Sequence, residues 1–149
     1  MSVFTRGTNL YTTMRPIEWG DGTWVMQVQA HGVLTAKQPY KIIYNQHGCI
    51  TAALADDENY FYVGVPFAAV ASEAIDWIQV GGVCPSMIVA ALTMTAGDAV
   101  KMYDGAVVDT TAAFTDAVGE FGICYTSTTG ADDVLDVILI PERIRQASS

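Results

Sequence analysis

The sequence predicts an all-β fold, a small β-barrel or β-sandwich that follows an extended N-terminal arm. Three observations lead there. Short runs rich in Val, Ile, Tyr, Phe and Trp recur along the chain, several alternating apolar with polar residues at the period of a half-buried strand. Turn signals built on Gly, Asp, Asn and Pro separate these runs at intervals of about eight to twelve residues, the spacing of a barrel or sandwich. Helical signal is confined to one expected turn over residues 68–74.

Residues 1–22 are rich in Thr, Gly and Arg and hold no sustained period, which gives the arm; Gly20-Asp21-Gly22 closes it as a turn. Residues 23–149 then read as a single β domain. Over 23–30, Trp24, Met26 and Val28 alternate with Gln27 and Gln29, giving the first strong strand. Residues 40–44 and 50–54 form two more strands around Asn45-Gln46-His47-Gly48, a hairpin connection. Asp56-Asp57-Glu58-Asn59 is a polar loop, and the aromatic and β-branched run at 60–65 is a strand that Pro66 stops. Residues 75–80 are a strand ending in a Gly81-Gly82 turn. Further strands are expected at 87–90, 99–103, 106–108, 122–126 and 134–140, with Asp104-Gly105 supplying a two-residue hairpin turn. No linker splits the chain, and no clear internal repeat stands out.

At 149 residues the chain buries a sizeable core. Hydrophobic residues make up 51% and charged residues 15%, well under the roughly 25% charged of ordinary soluble domains. No apolar run reaches the roughly 18 residues of a membrane helix, so no membrane partner is expected, and the apolar surplus points to contacts with other protein. A net charge of −9 repels phosphate backbones and disfavours nucleic acid. Charge is also unevenly placed: Arg6, Arg15, Arg143 and Arg145 lie near the ends, whereas residues 16–141 set fifteen acids against Lys37, Lys41 and Lys101. An acidic body with basic ends results. The first six residues lack the basic start and apolar stretch of a signal peptide. Cys49, Cys84 and Cys124 are three and widely spread, fitting free buried thiols in a reducing cytoplasm.

Catalytic and metal-binding patterns are weak. His47, Cys49, Cys84 and Cys124 lack the close ligand pairs of a zinc site, so neither metal nor cofactor is expected. Cys84 with His31 or His47 would make a nucleophilic pair, but apolar neighbours raise a thiol pKa rather than activate it. Asp56-Asp57-Glu58 lacks the alternating ligands and distal glutamate of an EF-hand, and Asp132, Asp133 and Asp136 read as a solvated turn. Gly81-Gly82 and Gly97 lack the Gly-Lys-Ser/Thr of a phosphate loop. Trp19, Trp24 and Tyr40 are aromatics that either pack or stack on sugars. The chain therefore reads as a non-enzyme.

Trp77-Ile78-Gln79-Val80-Gly81-Gly82-Val83, then Thr95-Ala96-Gly97-Asp98-Ala99-Val100, Phe121-Gly122-Ile123-Cys124-Tyr125 and the closing strand 134–140, resemble a module of tailed-bacteriophage capsid decoration (cement) proteins. The resemblance covers about residues 60–140. It implies a virion protein on the capsid exterior, present in the host cytoplasm during assembly, that clamps capsomers, binds the major capsid protein and itself, and often forms a homotrimer. On that reading Phe4, Arg6, Leu10, Tyr11 and Arg15 of the arm contact the capsid, and Trp77, Ile78 and Val80 contact neighbouring subunits. The alternative is a glycan- or receptor-binding module of a phage tail or fibre.

Overall fold

The computed structural model describes residues 16–45, 48–52, 62–89, 93–103, 106–109, 120–129 and 134–140, and among them every regular element is a strand. These are β1 (Ile17–Glu18), β2 (Trp24–Gln29), β3 (Tyr40–Asn45), β4 (Gly48–Ala52), β5 (Tyr62–Pro66), β6 (Ile75–Ile88), β7 (Ala99–Tyr103), β8 (Ala106–Asp109), β9 (Glu120–Cys124) and β10 (Val134–Leu139). The all-β expectation holds. Tyr103 stands opposite Ala106 across β7 and β8, the register of a two-residue hairpin loop.

Two local expectations fail for physical reasons. Residues 68–74 form no helix. Val70 instead bridges Leu34, and the Glu73 N–H donates to the Ala30 carbonyl at 2.9 Å with Glu73 at φ 68°. Seven residues cannot repay helix nucleation when bridging partners compete for their backbone groups. Nor is Gly81-Gly82 a turn. β6 runs straight through it: Gly81 pairs with Trp24 of β2, and Gly82 pairs with Leu139 of β10. Gly82 adopts φ +86°, and a Cβ there would strike the Gly22 carbonyl oxygen. The glycine serves a close backbone approach inside a strand, not a reversal. Gln79 fixes this stretch from the side, its Nε2 donating to the carbonyls of Gly81 (3.0 Å) and Val83 (2.9 Å).

The pairings close on themselves. β2 pairs with β4, β4 with β3, β3 with β5, β5 with β6, and β6 returns to β2, which makes a five-stranded ring. The far half of β6 pairs with β10, then follow β9, β7 and β8, and Val107 of β8 bridges back to Val89 just beyond β6. A second five-stranded ring results, and the two share one strand.

The rings repeat each other strand for strand, although no clear internal repeat stands out in the sequence. Both close through a parallel contact, Gln29 with Ile50 and Val89 with Val107. Leu34 bridges Val70 as Met94 bridges Thr128. Lys37 N–H donates to the Pro66 carbonyl and Gly97 N–H to the Cys124 carbonyl, both at 2.9 Å. Lys37 and Gly97 both have positive φ, 64° and 100°. The sequence trace is Leu34-Thr35-Ala36-Lys37-Gln38 against Met94-Thr95-Ala96-Gly97-Asp98, a spacing of sixty residues.

Each ring has its own interior. Met26, Val28, Ile42, Ile78 and Val80 cluster in the first. The second unit's buried side chains, among them Cys84, Met87, Val100, Phe121, Leu135 and Val137, form a larger cluster that Val63 and Val65 of β5 join. That shared cluster welds the rings together. Asp136 lies in β10 rather than in a solvated turn. Its Oδ1 accepts the Ser86 N–H at 2.9 Å, holding the irregularity where Pro85 and Ser86 together face one residue of β10.

Candidate functional site

An aromatic surface on the first ring is built by a short, tightly hydrogen-bonded loop. Glu18 ends β1, and its Oε2 accepts the N–H groups of Gly20 (2.7 Å) and Gly22 (2.9 Å). Asp21 Oδ1 accepts the Thr23 N–H at 2.9 Å, and hydrogen bonding from Thr23 holds the Asp21 carboxyl below the usual carboxylate range. Trp19 N–H donates to the Thr23 carbonyl at 2.9 Å, which sets the indole over the neighbouring strands. There it stacks on Phe67, with ring centroids 5.6 Å apart and planes 13° apart, and meets Trp77 at 6.4 Å. The Lys37 ammonium stands 6.0 Å from the Phe67 centroid, at the limit of a cation–π contact. Trp19 remains 52% exposed, and Ile17, Trp24 and Phe67 are also exposed. An aromatic surface of this kind suits protein contact or stacking against a flat ligand.

The residues singled out from sequence fall into different places. Phe4, Arg6, Leu10, Tyr11 and Arg15 lie outside the described residues. Trp77 is half-buried in the aromatic cluster, whereas Ile78 and Val80 turn into the first ring's own interior. A subunit contact on this strand therefore has Trp77 to work with. Tyr40 is a core residue whose hydroxyl accepts the Thr35 N–H at 2.8 Å. Phe67 was legible only as the residue after a strand-stopping proline, and nothing in the sequence brings it to Trp19.

The thiols are structural in placement. Cys84 is a free, buried thiol and Cys124 is also buried, on strands that flank Val137 of β10 from either side. Burial pushes the Cys84 thiol up to about 11; Lys37 opposes this and Asp136 adds to it. The thiol is thus neutral across the physiological range, and its thiolate grows only as the pH rises toward 11. At pH 8, iodoacetamide is expected to label Cys84 in the native protein roughly a hundredfold or more slowly than after denaturation, read by peptide mass spectrometry. Equal rates would remove the packed environment from the account. Among the described residues, no group of three or more His, Cys, Asp or Glu is placed to hold a metal ion, and no helix is long and apolar enough to cross a membrane.

In fold, the chain is similar to the N base of the head fiber protein gp8.5 of bacteriophage phi29. The TM-score is 0.56 at 12% sequence identity, over 81% of this chain and 97% of that one. No protein-family model matches the sequence, and no curated protein sequence matches it.

Proposed function

We propose that this chain is a structural protein of a phage virion, seated on the outside of the head, where it binds the major capsid protein and bridges capsomers without catalysing a reaction. The observation that carries the reading is the fold likeness to a head fiber base, which spans nearly the whole of that chain. The composition supports it: an apolar surplus, few charges, and arginines gathered at the ends of an acidic body are features of a chain that works by contact. Repeated attachment sites on a shell convert modest affinity per copy into strong retention.

The test is to mix purified protein with undecorated heads and image the particles. Density at regular positions on the outer surface is the expected result. The double variant Arg6→Ala/Arg15→Ala is expected to lower occupancy several-fold while its circular dichroism stays that of the parent. Bare heads at saturating protein would end the proposal, and full occupancy of the double variant would remove the arm from it. The exposed Trp19 stacked on Phe67 favours a second reading, a glycan- or receptor-binding module of a tail or fibre. That reading needs sugar binding on a glycan array that Trp19→Ala abolishes.

A further inference from the structure

Across the first ring, Val25, Gln79 and Val65 lie side by side on β2, β6 and β5. They alternate with Met26, Ile78 and Gly64, so they belong to the outer face of a ring whose interior holds Met26, Ile42 and Ile78. The matching row in the second ring is Val83, Ile138 and Ile123, continued by Ala99. The first row is shut, with Val25, Gln79 and Val65 each 2% exposed or less. The second is open. Val83 is 47% exposed, and Ile138, Ile123 and Ala99 are half-buried. Tyr125 stands exposed beside it, its N–H donating to the Asp136 carbonyl at 2.8 Å.

Chemistry runs against exposure here. The covered row includes a polar residue, Gln79, whose amide is held by two backbone carbonyls. The open row is apolar throughout and carries no charge. An uncharged aliphatic row left open is a surface suited to protein contact.

The fold also shows what fits on such a row. Val65 of the first row joins the buried cluster formed by Cys84, Met87 and Leu135 of the second unit. The second unit thus covers the Val65 end of the first unit's outer row, as stacked repeats bury each other's faces. We infer that the row formed by Val83, Ile138, Ile123 and Ala99 is a self-association surface, covered by a second copy of this chain. The absence of charge within the row lets two copies meet there despite the net charge of −9 on each.

Sedimentation of the full chain over a range of micromolar concentrations tests this, independently of attachment to heads. The parent is expected to sediment as a multiple of its 16.0 kDa mass. Val83→Lys is expected to weaken association roughly tenfold or more, a desolvated charge being poorly tolerated at such a contact. Val83→Ser should weaken it less, and Val33→Lys, at an exposed site off the row, should leave it unchanged. Thermal melts establish that each variant is folded; should Val83→Lys unfold, Val83→Ser carries the comparison. A parent that stays single at every concentration overturns the inference, as does a folded Val83→Lys or Val83→Ser that assembles like the parent. So does a single-copy parent whose binding to heads is lost in Val83→Lys, because the shell is then the occupant. Self-association that depends on Val83, together with bare heads, would leave the inference standing and remove the proposed function.

Discussion

Gly82→Ala is expected to lower stability by about 3 kcal/mol, whereas Gly20→Ala should lower it by about 1 kcal/mol. Both glycines have positive φ, +86° and +95°, so both substitutions meet the same left-handed backbone penalty. They differ in space. Nothing lies within 4 Å of a Cβ at Gly20, but at Gly82 the new methyl meets the Gly22 carbonyl, and backbone cannot rotate away as a side chain could. For a chain of this size, the Gly82 change should lower the melting temperature by about 6–12 °C. Equal shifts for the two variants would show that the approach of residues 22 and 82 is not what holds this region.

Ile78→Ala is the second large effect, an expected loss of about 2–4 kcal/mol by cavity formation in a fully buried site. Its signature is as informative as its size. Ile78 packs with Met26, Val28, Ile42 and Val80 inside one ring of one chain, so the loss should be the same at low and high protein concentration. A contact between subunits would instead make the gap between the two melting temperatures widen as concentration rises, whatever concentration dependence the parent shows on its own. Thermal denaturation of both proteins across a hundredfold dilution, or about that range, separates the two.

Individual strands were legible because alternation survives in short windows. Trp24, Met26 and Val28 against Gln27 and Gln29 identify β2, and β3, β5, β9 and β10 follow from their β-branched and aromatic content. What eluded sequence reading was non-local. A pair of glycines has the same local signature whether the chain reverses or continues, and only the partners Trp24 and Leu139 decide that β6 continues. The short apolar stretch at 68–74 was ambiguous for the same reason, since a bridge to Leu34 outcompeted a helical turn. The repeat hid because little side-chain identity survives between the rings. Lys37 stands where Gly97 stands, and Gln79 where Ile138 stands, so the shared feature is a backbone path and a burial pattern. The candidate site was half legible: Trp19 and Trp77 are evident as bulky aromatics, but their meeting through Phe67 depends on loop geometry around Glu18 and Thr23. Ile78 and Val80 were set apart from Trp77 by the simple alternation of a strand, a distinction the period itself contains.

Because β6 serves both rings, a pull that separates one half of the molecule from the other travels along an unbroken covalent backbone. The tension reaches peptide bonds before it reaches any one set of side chains. Tearing the halves apart requires sliding β6 lengthwise past β2 or β10, which loads many ladder hydrogen bonds together instead of opening them one by one. A molecule made this way resists shear along that strand more than it resists peeling at its margins.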